Sequence, residues 1–374
     1  MLSLLNDYTF RIVVIGAMSL GILSGLTGSF MVLRKQSLLA DAISHAALAG
    51  IALGYLVTFS KQTEFLLVGA LIIGLISVGL IILISRFTKT TFESSMALVM
   101  TMFFGLGLVL LTYIQKLPNS NQAGLDRFIY GQVATMLKSD VYLILGATII
   151  TLFVIVLLFK ELQVFTFDPD YGTQLGFSEK ILNVFISLMT VLTIILGIQS
   201  VGVVLMSALL IAPAVSARQW TNSLKVMLIL ASIFGAFSGL LGTITSSLIE
   251  NMPTGPTIVM YASIIVIISL FFSPKRGILW KSIKKNQYKK DYTADMMLIS
   301  YLTHINKALN FTFYDFKNSL LNDTNLSNKN FNKNVDNLKR RNLIKIDRNK
   351  KVTVKEDFIN LYEFYDIANK EDTI

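Results

Sequence analysis

The sequence predicts an all-α polytopic membrane protein with about nine transmembrane helices (eight to ten), followed by a small soluble α/β domain of winged-helix type. Three observations predict this class. Of the 374 residues, 53% are hydrophobic and 15% are charged, against about 25% charged in soluble domains. Long apolar runs recur until about residue 273. Residues 280–374 then carry 18 Lys and Arg and 12 Asp and Glu, more charge than the whole of residues 1–279, with 15 and 11.

Nine apolar runs are long enough to cross about 30 Å of hydrocarbon. The sixth and seventh meet around Gln199 and Gly202, so one of them is a candidate short or re-entrant segment. The runs fall near residues 11–33, 38–59, 65–85, 94–114, 141–159, 180–198, 200–217, 224–249 and 256–273.

Lys and Arg collect in alternate loops between these runs, beginning with Arg34 and Lys35. The positive-inside rule makes those loops cytoplasmic, with the N-terminus outside and the C-terminus in the cytoplasm. We therefore predict a membrane domain over 1–279, a basic linker over 280–290 and a cytoplasmic domain over 291–374.

The cytoplasmic domain has three stretches of helical periodicity, 294–309, 311–321 and 328–342. Residues 342–357 then alternate and turn at 348–350, as a β-hairpin does. This is the order of a winged helix-turn-helix. Its third helix is basic and suits either phosphate contacts or the solvated face of a docking domain. We favour the docking domain, because a membrane tether hinders promoter binding, and we expect no nucleic-acid partner.

Two ionisable residues, Asp41 and His45, lie in the second apolar run. Charged groups within a bilayer cost roughly 2.5–3.5 kcal/mol each at a helix centre. A spacing of four residues puts both side chains on one helical face, where a carboxylate and an imidazole can share a divalent metal. The alternative is that both belong to a helix start at the interface, where an Asp favours the helix dipole.

A stripe of small residues, Ala42, Ala46, Gly50 and Gly54, runs beside this pair at the same spacing of four. Small residues at that spacing let another helix approach closely. We therefore expect a helix-packing face there.

The loop after the fifth run contains Asp168-Pro169, a helix-start signal, and Gly176, a stop signal. We predict a short helix of about two turns lying against the membrane; the alternative is an ordinary connector. Glu250 stands alone in the turn before the last apolar run and is a candidate outer gate.

Two features that the sequence lacks limit the kinds of metal site and catalytic activity that this chain can have. No cysteine occurs, so thiolate metal ligands are excluded. No GxxxxGK[ST] phosphate loop occurs either. We therefore expect no enzyme activity on this chain, with ATP hydrolysis on a partner.

Four segments, in order, resemble the ABC-3 family, the permease subunits of bacterial manganese and zinc ABC importers. The resemblance covers residues 5–275 and not the C-terminal domain. Ala40, Ala49, Asp170 and Gly172 depart from the family pattern, and none of them is a proposed ligand. The four segments are VLRKQSLLADAISHAALAGIALGY, FDPDYGTQLG, QSVGVVLMSALLIAPAVSAR and MPTGPTIV.

The resemblance implies a multi-pass subunit of the bacterial plasma membrane, with no covalently bound cofactor and Mn²⁺ or Zn²⁺ as transported substrate. It implies that Asp41 and His45 act in metal passage or in the gate. It also implies a helix that docks on an ATP-binding subunit, with coupling residues Asp168, Pro169, Asp170, Leu175 and Gly176. The implied partners are a second copy of the chain, the ATP-binding subunit and an extracytoplasmic metal-binding protein.

Two other functions remain open on the residues alone. A membrane-tethered regulator would use its basic tail to bind DNA or to sense metal. An ion-coupled secondary transporter would work without an ATPase. The permease of an ATP-driven importer is the function that we favour.

Overall fold

The computed structural model describes residues 7–60, 62–117, 131, 133, 136–304, 310–323, 327–347 and 349–355. The chain forms two compact units, Met1–Gly277 and Ile278–Ile374.

In the described part of the first unit, nine helices are long and apolar enough to cross a membrane. The all-α polytopic fold is therefore confirmed. The nine are α1 (Tyr8–Leu33), α2 (Leu38–Thr58), α3 (Thr63–Phe87), α4 (Phe92–Gln115), α5 (Lys138–Leu157), α8 (Glu179–Val201), α9 (Val203–Trp220), α10 (Leu224–Leu248) and α11 (Thr254–Phe272), and the short helices α6 (Phe159–Phe167) and α7 (Pro169–Gln174) lie between α5 and α8.

Helices α8 and α9 are separated by a single residue, Gly202, which has φ +92°. Side chains with a Cβ rarely adopt that backbone conformation, whereas glycine does so freely. The two helices have 23 and 18 residues, so both reach spanning length.

Close backbone contacts join α1 and α10, two of the longest helices of this unit. Gly21 of α1 and Gly235 of α10 lie so near each other that a Cβ on either would overlap the other's carbonyl oxygen. A Cβ on Gly239 would lie 2.6 Å from the carbonyl oxygen of Ala17. Small residues thus bring α1 and α10 together along several turns, in the manner of membrane helix pairs.

The second unit has the element order α12 (Ile278–His304), β1 (Asn310–Thr312), α13 (Phe313–Asp323), α14 (Asn328–Arg340), β2 (Ile344–Ile346) and β3 (Lys351–Val354). Its strands form an antiparallel sheet in the order β1-β3-β2. Tyr301, Phe316 and Phe331 are fully buried in its core. The winged-helix-like order predicted from the sequence is present, with β1 added between the first two helices.

The basic segment 280–290, set apart above as a linker, is helical and forms part of α12. It contains neither glycine nor proline, so no residue in it interrupts a helix.

Candidate metal site and coupling segment

Helix α2 carries Asp41 and His45 and is packed between two neighbours. Gly50 meets Gly69 of α3 backbone to backbone, so that a Cβ on either would overlap the other's carbonyl oxygen. On α4, a Cβ on Gly107 would lie 2.9 Å from the backbone nitrogen of Ala49.

The small-residue stripe is therefore used within one chain. Gly54 also faces α3, where a Cβ would lie 3.0 Å from the carbonyl oxygen of Phe65. Ala42 and Ala46 are fully buried. This face of α2 therefore packs against α3 of the same chain.

Asp41 and His45 stand out on this buried helix. From Leu39 to Ala52 they are the two residues that are not buried; both are partly exposed. A rise of about 1.5 Å per residue puts Asp41 about 4.5 Å, and His45 about 10.5 Å, along the axis from Leu38. The pair thus lies in the first two turns of α2 and shares one accessible face.

The His45 ring is held by an aromatic contact. Its centroid lies 4.8 Å from that of Phe104 on α4, in an edge-to-face arrangement. The Nδ1 atom is buried and has no hydrogen-bond partner among the residues that the structure describes. A buried polar atom without a partner costs about 1–3 kcal/mol. This unpaired nitrogen makes His45 a candidate ligand.

Among the described residues, no group of three or more His, Cys, Asp or Glu side chains could hold a metal ion. A metal ion bound by Asp41 and His45 would therefore have two ligands of these types from the described part of this chain. A carboxylate and an imidazole suit Mn²⁺, Fe²⁺ or Zn²⁺.

The short helix predicted after residue 168 is confirmed as α7. Asp168 caps it, its Oδ1 accepting a hydrogen bond from the backbone N–H of Tyr171 at 3.0 Å. Pro169 is the first helical residue, and Gly176, at φ +88°, follows its end. Local capping chemistry therefore determines both ends.

Helix α7 presents apolar side chains outward. Tyr171 is 52% and Leu175 is 51% exposed, and Asp170 is exposed beside them. Gly172 faces the other way and is buried, with Val164 of α6 the nearest side chain. An exposed apolar helix face backed by α6 is suited to docking on another protein.

Sequence reasoning missed a cluster around Arg34, which it used only as a topology signal. The guanidinium lies over the Phe165 ring of α6, 5.0 Å from its centroid, and donates a hydrogen bond to Oδ1 of Asn183 on α8. The Asn183 amide in turn donates to Glu179 at 3.3 Å. Burial lowers the pKa of Arg34 from its ordinary value, and the Glu179 carboxylate acts in the opposite direction.

Arg34 therefore joins the end of α1 to α6 and α8. It lies three residues before Ser37, the residue that precedes α2. Its partners are far away in the chain: Asn183 lies 149 residues on. No short-range pattern could have identified this cluster.

Glu250 lies exposed in the turn between α10 and α11. Asn251 beside it has φ +61°, and Ser246 Oγ donates to the carbonyl oxygen of Met252 at 2.7 Å. The structure describes no hydrogen bond or ion pair for Glu250 within the described part of the chain.

Comparison with known proteins gives consistent matches. The model of the ABC 3 transport family matches residues 6–273. A zinc transport system membrane protein, TroC of Treponema pallidum, is 43% identical over 281 residues, which are 75% of this chain and 94% of TroC. A manganese transport system membrane protein, MntC of Bacillus subtilis, is 39% identical over 288 residues, 77% of this chain and 66% of MntC.

The fold also matches a solved structure, PsaBC from Streptococcus pneumoniae in complex with Fab. The TM-score is 0.65 at 28% sequence identity, and the match covers 74% of this chain and 98% of the other.

Proposed function

This chain belongs to the ABC 3 transport family, and on that premise we propose that it is the membrane-spanning permease subunit of an ATP-driven importer of a divalent transition metal. The relatives named above are described as zinc and manganese transport proteins. The observation that carries the proposal is the pair of partly exposed ligands, Asp41 and His45, on an otherwise buried stretch of α2.

Asp41 and His45 bind the ion transiently as it passes. Two ligands on one chain make a weak site, which suits transport because the ion must also leave. Two copies of the permease assemble around the pathway, so that two Asp41/His45 pairs and water complete the coordination. The absence of a third His, Asp or Glu ligand near the pair among the described residues supports this arrangement.

The segment 168–176 docks on a separate ATP-binding subunit, and ATP-driven closure of that partner displaces α7. The displacement reaches the metal pair through packed side chains. Gly172 of α7 lies against α6, and Phe165 of α6 lies under Arg34. Arg34 begins the turn that leads from α1 into α2. These contacts support an alternating-access mechanism in which movement of α7 displaces the start of α2, where Asp41 and His45 lie.

Three further features complete the proposal. The chain crosses the bacterial plasma membrane several times, and its C-terminus is cytoplasmic. An extracytoplasmic metal-binding protein delivers the ion to the opposite side, where Glu250 acts as an outer gate. No cofactor is bound, and Mn²⁺ or Zn²⁺ is the transported substrate.

Reconstitution tests this function directly. We expect the permease, together with its ATP-binding subunit in proteoliposomes, to accumulate Mn²⁺ or Zn²⁺ only when ATP is hydrolysed. A non-hydrolysable ATP analogue and the permease alone are the controls, and competition between the two ions identifies the preferred substrate. Accumulation without the ATP-binding subunit, driven by an ion gradient, would instead establish a secondary transporter.

Leu175→Ser tests the docking surface. We expect the variant to lose most of its association with the ATP-binding subunit and at least about half of its uptake, because an apolar anchor at an interface is removed. Co-purification and uptake are the two measurements. Leu137→Ser is the matched control, since Leu137 is an exposed leucine (65%) in the turn before α5. Equal behaviour of both variants would remove α7 from the coupling route.

A further inference from the structure

The first half of helix α12 is exposed on every side. All thirteen residues from 278 to 290 are exposed, although the same helix continues into the core of the second unit, where Ala294 and Leu298 are fully buried. Large apolar side chains are among these exposed residues: Trp280 is 47% and Ile283 is 56% exposed. Most helical stability in proteins comes from packing of an apolar face, so a partner that covers these residues is expected.

Residues 279–285 of the segment have two distinct faces. At 100° per residue, Leu279, Trp280 and Ile283 fall on the side of α12 that leads into its buried residues. Three lysines at a spacing of four, Lys281, Lys285 and Lys289, fall on the opposite side. An apolar face with tryptophan and a lysine-rich polar face are the marks of a helix that lies in a membrane interface.

The covalent connection holds the start of this segment close to the membrane. Helix α11 ends at Phe272, and the turn after it is tied back to the first unit: the N–H of Gly277 donates to the carbonyl oxygen of Ser273 at 2.8 Å. Arg276 donates to Oδ1 of Asn222 at 2.9 Å, in the turn between α9 and α10. Because α12 begins at residue 278, directly after Gly277, the start of the segment is covalently joined to this turn.

We propose that residues 278–290 bind the membrane surface through anionic lipid headgroups. Trp280 and its apolar neighbours enter the headgroup region, where tryptophan is enriched. Lys281, Lys285 and Lys289 are attracted by the negative surface potential, as juxtamembrane basic clusters are. This inference does not depend on which ion is transported.

Trp280 makes the test direct, because the chain has two tryptophans and a Trp220→Phe background leaves Trp280 alone. The full-length variant is placed in nanodiscs of phosphatidylcholine, with or without phosphatidylglycerol. With the anionic lipid, we expect Trp280 emission to move to shorter wavelength and its quenching by brominated acyl chains to rise about twofold. Raising the salt to about 1 M, where the Debye length falls to about 3 Å, should remove the difference.

Two triple variants distinguish the effect of the lysines in this segment from the effect of the net charge of the protein. Lys281→Gln/Lys285→Gln/Lys289→Gln is expected to abolish the effect of phosphatidylglycerol. Lys329→Gln/Lys333→Gln/Lys339→Gln removes the same charge from exposed positions of α14 and is expected to keep it. Emission that is independent of lipid charge overturns the proposal. So does a Trp280 that is shielded equally in both lipids and in detergent, since a protein surface would then cover the segment.

Discussion

Replacing Asp41 with asparagine is expected to lower ATP-driven metal uptake at least about tenfold, because a neutral amide oxygen is a far weaker ligand for Mn²⁺ or Zn²⁺ than a carboxylate. The side-chain volume is retained and the position is partly exposed, so folding should be preserved. His45→Gln is expected to cause a loss of similar size. The measurement is initial uptake in proteoliposomes at matched protein content.

Glu64→Gln is the control for this pair. Glu64 is an exposed carboxylate in the first turn of α3, so the substitution removes the same charge at another helix start. We expect its uptake to match the wild type. Wild-type uptake in Asp41→Asn and His45→Gln, with normal folding, would show that these side chains do not line the pathway.

The second large effect is expected from Gly69→Ala on α3. A methyl group there would overlap the carbonyl oxygen of Gly50, so α2 and α3 would have to move apart. Overpacking of this kind costs about 1–3 kcal/mol, and the displacement would move the helix that carries Asp41 and His45. We expect a lower melting temperature in detergent and reduced uptake.

Gly79→Ala is the matched control because it lies on the same helix with nothing within 4 Å of the added Cβ. Alanine favours a helix over glycine by roughly 0.5–1 kcal/mol, so this variant should be as stable as the wild type or more so. If both variants behaved alike, the close contact between Gly50 and Gly69 would have no energetic role.

The nine spans could be predicted because crossing a bilayer is a local requirement. A spanning helix needs about 20 apolar residues in a row, and each run meets it without reference to the others. Helix α7 was predictable for the same kind of reason. Asp168, Pro169 and Gly176 satisfy the ends of the helix through bonds and dihedral angles within a few residues.

Strand β1 was not predictable in this way. Residues 311 and 312 begin a stretch that we interpreted as helical, and they belong to a strand because Phe311 pairs with Val352 of β3. That pairing spans about forty residues of chain. The linker predicted over 280–290 was also wrong, since it was based on charge alone. Helix α12 extends through this segment, because lysine and glutamine favour helix.

The candidate metal site also has features that local sequence determined and features that depend on tertiary contacts. The spacing of Asp41 and His45 by itself determined that they share a helical face, and the small residues beside them determined that α2 would pack closely. Only the tertiary structure decided that Gly69 of the same chain fills that contact, that Phe104 lies against the His45 ring, and that Arg34 joins α1 to α6 and α8. Spacing along a helix is a property of the local backbone. Contacts between residues far apart in the chain depend on how whole helices pack, which no local pattern records.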